Sequence, residues 1–340
     1  MKDIELFLEE GYGSGMGFNV MNYLDACPHI HFVSNKEAYT KDFVTVLRAP
    51  EKDQITRMKK GAILLSMLHY DTRPIRNKLL EKQGIIAFSM DGMIDDFGIR
   101  HIVDYYGTAF NGAEVALKEL MRIRSKTSTI HVSIIGVGEV GLKAIKAFKN
   151  LSNTLKYPEG LSITVLTRSL INNETALKAI LNETDILVDA TSRVDTTKHI
   201  LDNKTLGELP LESVILDLTA DPYDEYLNPI QVKGFEGIPT GTLDKYVIYS
   251  GDSIYKTIPK GVDTTHRRVV VSCNAWPGVH PKKSMEHYGK QLIPFMRLIK
   301  NRGFEHVVFE SASQQERILK RSQIEYFKAH GKALWPKKHA

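Results

Sequence analysis

Residues 131–148, HVSIIGVGEVGLKAIKAF, restrict the fold of this chain more than any other stretch. An apolar run of buried-strand type ends in three glycines, Gly136, Gly138 and Gly141. It then passes into a segment with Ala144, Ile145 and Phe148 at helical spacing. In a strand–turn–helix unit each glycine has its own task. The first makes a tight turn, the second lets the backbone come close to a pyrophosphate, and the third lets helix pack on strand. The free N–H groups at the helix start then face the phosphates. The pattern predicts a dinucleotide site built from Gly136, Gly138, Glu139, Val140 and Gly141.

The choice of nucleotide turns on SITVLTRS, residues 162–169. Where such folds usually place a carboxylate on the ribose 2′-hydroxyl, this chain has Thr167, Arg168 and Ser169. A carboxylate would repel a 2′-phosphate. Two hydroxyls can donate to it, and a guanidinium can pair with it or stack on adenine. The segment therefore favours NADP(H) over NAD(H).

Before the glycine turn, the apolar runs IELFL, HIHFV, FVTVL, AILLSML and GIIAF alternate with helix-compatible stretches, among them Pro74 to Gln83, as in a parallel α/β sheet. A helix is expected from about Phe110 to Ile123. After the turn the alternation resumes with strands at 163–166, 186–188 and 214–218, a helix at 174–181, and a late strand in VVVSCNAWPG. Ser284 to Ile299 reads as an amphipathic helix returning to the first domain. The expected architecture is α/β, two doubly wound Rossmann-like domains with an active-site cleft between them. The substrate domain is placed at 1–112 plus 283–340 and the NAD(P)-binding domain at 113–282.

Bulk composition narrows the function classes. At 340 residues and 42% hydrophobic content, the chain can fill two cores. No apolar run approaches the ~20 residues of a membrane span. Two cysteines, Cys27 and Cys273, give no disulfide framework, which suits the cytoplasm. The net charge of +5 is spread among acids, so a small anionic ligand accounts for it better than nucleic acid does. The tail KALWPKKHA reads as a solvated end. Cys27, His29 and His31 in CPHIH lack a fourth ligand, so no metal site is expected.

Ligands of open α/β sheets collect beyond the carboxyl ends of strands. That points to Arg48, His69 and Asp91 in the first domain. In the second it points to Thr191, Ser192 and Asp221.

VTVLRAP (44–50), LLSMLHYDTRP (64–74), MDGMIDDFGIR (90–100), IIGVGEVG (134–141), VILDLTAD (214–221) and CNAWPGVHP (273–281) together resemble the alanine dehydrogenase and pyridine nucleotide transhydrogenase family. That family includes saccharopine dehydrogenase and N5-(carboxyethyl)ornithine synthase. The resemblance implies hydride transfer between a nicotinamide and an amino acid, or the imine of a 2-oxo acid. His69 matches the family's histidine acting on the substrate carbonyl, and its near-neutral pKa suits proton transfer. Arg48 stands where the family has a substrate-binding lysine; it can clamp a carboxylate but cannot shuttle protons. Asp221 matches an aspartate near nicotinamide and substrate, and Asp91 an acidic residue of the first domain. Leu218 and Asn274 extend the cofactor wall. The partner is thus a small 2-oxo acid or amino acid, and assembly as a homo-oligomer is compatible with the sequence.

The family opens with a further strand and an arginine for the substrate carboxylate, whereas this chain starts at what reads as the second strand. Arg73 and Arg100 are the candidates to replace that arginine. MDGMIDDFGIR and TRS also fit a reductive condensation of a 2-oxo acid with an amino acid. The exchange of Lys for Arg48 fits a non-catalytic nucleotide sensor, similar to the soluble NAD(H) domain of transhydrogenase.

Overall fold

The computed structural model describes residues 4–124, 129–154, 160–193, 195–219, 221–302 and 313–331; the C-terminal tail 332–340 lies outside them. The chain divides into two compact units, Met1–Val103 with Met285–Ala340, and Asp104–Ser284.

In the first unit, β1 (Leu6–Glu9) and β2 (Ile30–Val33) form a parallel pair. β3 (Phe43–Arg48), β4 (Ile63–Met67) and β5 (Ile86–Ser89) form a three-stranded parallel sheet in that order. The strand alternation alone implies one sheet; the hydrogen bonding gives two. β1 and β2 bury only Val33, so this pair adds little to the core.

The core centres on β4, whose Leu64 and Leu65 point to opposite faces and are both fully buried. Leu64 packs with Leu68, Leu80, Ala87 and Ile324, and Leu65 with Phe88, Phe295, Ile318 and Leu319. Each such leucine stabilises the fold by roughly 1.5–3 kcal/mol. Helix Pro74–Gln83 begins with proline at its first turn and stops at Gly84, φ +69°.

In the second unit, β6 (Ile130–Ile135), β7 (Leu161–Leu166), β8 (Ile186–Asp189), β9 (Val214–Asp217), β10 (Val247–Ile248) and β11 (Val269–Ser272) make one sheet in the order β10-β11-β9-β8-β6-β7. All neighbours run parallel except the short edge strand β10, which the sequence did not suggest. β6 has β7 on one side and β8 on the other, so the topological switch point lies at its carboxyl end.

Helix Tyr105–Ile123 starts earlier than its apolar spacing implies, because the Asp104 carboxylate accepts from the Gly107 N–H at 2.8 Å and caps it. It belongs wholly to the second unit, where Ala109, Ala113 and Ala116 join the core under the sheet. Gly112 lets it approach closely: a methyl there would sit 2.6 Å from Leu218 Cδ2. The division between units therefore falls before this helix rather than within it, ahead of residue 112. Among the described residues no helix is long and apolar enough to cross a membrane.

Candidate active site

The glycine turn follows β6 as its spacing predicts, and each glycine meets a different constraint. Gly136 has φ +97°, and an added Cβ would lie 2.4 Å from the Ala190 carbonyl oxygen. A methyl at Gly141 would lie 1.9 Å from the Gly136 carbonyl oxygen, so only glycine lets the helix start this close to the turn. Gly138 is exposed, with nothing within 4 Å of its missing side chain. A backbone bare at that one point, at the start of helix Glu139–Thr154, fits a pyrophosphate. Glu139 is exposed beside it and Val140 half-buried.

The strand register brings the remaining cofactor candidates to this turn. Ile135 pairs with Leu166 on one side and Asp189 on the other, so Thr167–Ser169 and Thr191–Ser192 flank the glycines. Thr167 and Ser169 share a 2.8 Å hydroxyl hydrogen bond, and Thr167, Arg168 and Ser169 are all exposed. Leu218 is buried against Gly112, and Asn274 is exposed just after β11.

Below these loops lies a polar network that sequence reasoning missed. Asp189, Asp217 and Ser272 close β8, β9 and β11 side by side in register, and all three are inaccessible. Lys233, also inaccessible, puts its Nζ 2.7 Å from Asp217 Oδ2, and Ser272 Oγ donates to the same oxygen at 2.8 Å. Asp217 Oδ1 accepts from the N–H and hydroxyl of Thr219, as Asp189 Oδ1 does from those of Thr191. The signal was present as a repeated Asp-x-Thr, DAT at 189–191 and DLT at 217–219.

Burial pushes the Asp217 carboxyl up, but the Lys233 charge and the donated hydrogen bonds outweigh it and hold its pKa below the ordinary value. Asp189 has no such partner on Oδ2. Burial, then the Asp217 charge, push its pKa up to about 6. Lys233 Nζ also donates to the Asp221 carbonyl oxygen at 2.8 Å, while Arg193 Nη2 binds Asp221 Oδ2 at 3.0 Å and the Val232 carbonyl at 2.6 Å. Asp221 is thus held by backbone and side chain, with about a third of its side chain exposed.

In the first unit, β4 and β5 bring two candidates together. His69, just past β4, has φ 50° and ψ 55°, the one non-glycine left-handed residue among those described. That conformation costs roughly 1–2 kcal/mol. The Asp91 carboxylate, after β5, offsets part of it by accepting the His69 N–H at 3.1 Å. Its other oxygen lies 3.5 Å from His69 Nδ1, and Ser89 Oγ donates to Oδ1 at 2.6 Å.

Packing of the inner edge lowers the His69 pKa; Asp91 opposes this, and the Arg100 and Arg73 charges add to it. The lowered pKa favours the neutral ring, and 49% of the side chain stays accessible. For Asp91 the order differs: burial raises its pKa, but His69, Arg100, Ser89 and the His69 amide hold it below the ordinary value. Arg48 closes β3, exposed, and makes no side-chain hydrogen bond or ion pair among the described residues. The structure does not bring it against His69. No cluster of three His, Cys, Asp or Glu side chains among the described residues could hold a metal.

Comparison with known proteins matches residues 1–101 to the family model "Alanine dehydrogenase/PNT, N-terminal domain". No curated protein sequence matches. Among solved structures the chain is similar to an L-alanine dehydrogenase at 16% identity and TM-score 0.66, covering 93% of this chain and 85% of that one. It is also similar to a transhydrogenase from Sinorhizobium meliloti at 13% identity and TM-score 0.60, covering 87% and 85%. At these identities the likeness is one of fold. Residues 1–101 match that N-terminal domain model, and the chain is similar in fold to an L-alanine dehydrogenase over most of its length.

Proposed function

We propose that the protein is a nicotinamide-dependent oxidoreductase acting on the amine or imine of a 2-oxo acid, with NADP(H) preferred. The observation that carries this reading is His69, an imidazole in a left-handed backbone conformation, clamped through its amide by Asp91 and half-exposed. Backbone strain of this kind persists where the surroundings enforce it, and it clusters at functional sites. The glycine turn supports the cofactor assignment by its fit: a tight first glycine, a bare second and a packed third.

Bound in the second unit, the nicotinamide supplies a hydride acceptor or donor. The chain's own residues do the rest. His69 takes the proton of an amine or gives one to a carbinolamine. Asp91 fixes the imidazole and favours its charged form once the proton arrives. Arg48 serves the substrate carboxylate by a bidentate fork. Asp221, steadied by Arg193 and Lys233, orients the reacting group. The exposed hydroxyls of Thr167 and Ser169 and the Arg168 guanidinium support a 2′-phosphate, since no carboxylate stands there to repel it.

The test is oxidation of NADPH and of NADH by the full chain, with 2-oxo acids offered alongside ammonia or amino acids. At least one pair is expected to turn over, with NADPH binding more tightly than NADH. If no pair oxidises either cofactor, the enzymatic reading fails. Equal binding of both cofactors removes only the preference.

A further inference from the structure

At the carboxyl ends of β8 and β9, two carboxylates share one ammonium. Asp189 and Asp217 are register partners on adjacent parallel strands, so their side chains leave the sheet on the same face, with backbones ~4.8 Å apart. Lys233 Nζ lies 2.7 Å from Asp217 Oδ2, and all three residues are inaccessible to solvent. With every group ionised, the cluster carries one uncompensated negative charge. Such a charge is costly to bury, and a proton on one carboxylate removes it.

The hydrogen bonds show which oxygen takes that proton. Asp217 is engaged on both oxygens, Oδ2 by Lys233 and Ser272 Oγ and Oδ1 by Thr219. Asp189 uses Oδ1 for the N–H and hydroxyl of Thr191, and its buried Oδ2 has no partner. Gly234 turns bare backbone to that oxygen; a methyl there would lie 2.4 Å from it. Burial first, and then the Asp217 charge, strengthen the hold of Asp189 on a proton, while the Thr191 hydrogen bonds and Lys233 weaken it. The other charged groups on the surrounding loops have their own partners. Arg193 pairs with Asp221, and His199 Nδ1 bonds the Lys233 carbonyl with Glu236 3.8 Å from its Nε2. The turn after β6 brings Glu139, which is exposed.

The cluster meets the cofactor wall at two points. Asp189 is the register partner of Ile135, the residue before Gly136, and its Oδ1 holds Thr191 in the loop that flanks the glycines. Phosphates seated on the turn bring negative charge to the neighbouring strand end. A like charge favours the protonated acid, most strongly where water is excluded.

We propose that Asp189, Asp217 and Lys233 form a buried proton-binding site linked to the dinucleotide site, so that a pyrophosphate arriving on the glycine turn draws a proton from solvent onto Asp189 Oδ2. The proton returns to solvent when the dinucleotide leaves. Proton and dinucleotide each tighten the binding of the other, as linkage requires. Affinity for the dinucleotide therefore falls as pH rises through the range in which Asp189 loses its proton. The inference rests on the reading of the glycine turn as the cofactor site and on no part of the proposed reaction.

The experiment is calorimetric titration of the full chain with NADPH and with NADH at about pH 6.5, in buffers of different ionisation heat, which counts the protons exchanged on binding. The 2′-phosphate of NADPH titrates in the same range, with a pKa of about 6, so the reading for NADPH is the difference between wild type and Asp189→Asn. Wild type is expected to take up about half a proton more than the variant, the amount that a rise of about one unit in the Asp189 pKa gives. Its affinity should also fall up to about tenfold more than that of the variant as pH rises from about 5.5 to about 8. NADH lacks the 2′-phosphate, so proton uptake with NADH in the wild type tests the site even if Asp189→Asn does not fold. Binding with the same proton count in wild type and variant, or binding of NADH to wild type without uptake, overturns the proposal and leaves the cofactor reading intact. Absence of binding by either dinucleotide removes the cofactor reading, and the linkage falls with it.

Discussion

Both units place polar side chains at the carboxyl ends of parallel strands, and they treat them in opposite ways. In the second unit Asp189, Asp217, Ser272 and Lys233 are sealed from solvent, and Asp217 is bound by Lys233 and Ser272. In the first, Arg48 ends β3, His69 and Asp91 follow β4 and β5, and the His69 side chain stays half-exposed. Buried charges that satisfy one another hold a frame still. Groups held under strain with a free face are available for chemistry. The same strand-end position is thus a sealed scaffold in one unit and an accessible polar surface in the other.

The largest effect expected from this contrast is on stability. Lys233→Met leaves Asp217 ionised, inaccessible and without its cation, which should cost about 3–5 kcal/mol in urea unfolding. His69→Gln should cost less than about 1 kcal/mol, since the site is half exposed and the backbone clamp remains. Equal losses at the two positions break the comparison.

Next come the glycines. Gly136→Ala must hold a methyl at φ +97° against the Ala190 carbonyl, so about 1–3 kcal/mol of stability and the cofactor affinity should fall together. Gly138→Ala meets nothing in the protein, so the melting temperature should stay while affinity for NADPH drops. A Gly138→Ala protein that binds NADPH normally removes the pyrophosphate from that turn.

A further effect is a pH dependence. The Asp189 pKa in the folded protein, about 6, lies above its ordinary 3.8, so the folded state holds that proton more tightly. Its contribution is complete below about pH 4 and is lost as pH rises through about 6. Asp189→Asn stays neutral throughout. The wild type should therefore lose of order 1–3 kcal/mol relative to the variant across that window. Parallel stability curves contradict the assignment.

How much of this was legible in the sequence depends on how local each constraint is. The glycine turn and the strands around it follow from short-range rules, and the structure has them there. The hold of Asp91 on the His69 amide joins residues 22 apart across two strands, and nothing in SMLHYD announces a left-handed histidine. Lys233, in the loop-like QVKGFEG, reads as a solvated lysine; its burial follows from the path that returns it beneath β9. The ion pair of Arg193 to Asp221 is visible only in the fold. Apolar spacing also hid the true start of helix Tyr105–Ile123, because a capping aspartate rather than a hydrophobic residue sets it.

The most direct measurement compares wild type with His69→Gln for NADPH affinity and for turnover of the best substrate pair. Loss of about a hundredfold or more in turnover, with cofactor affinity unchanged, is the predicted result. Turnover that persists in the variant at wild-type rate contradicts the assignment of proton transfer to this imidazole.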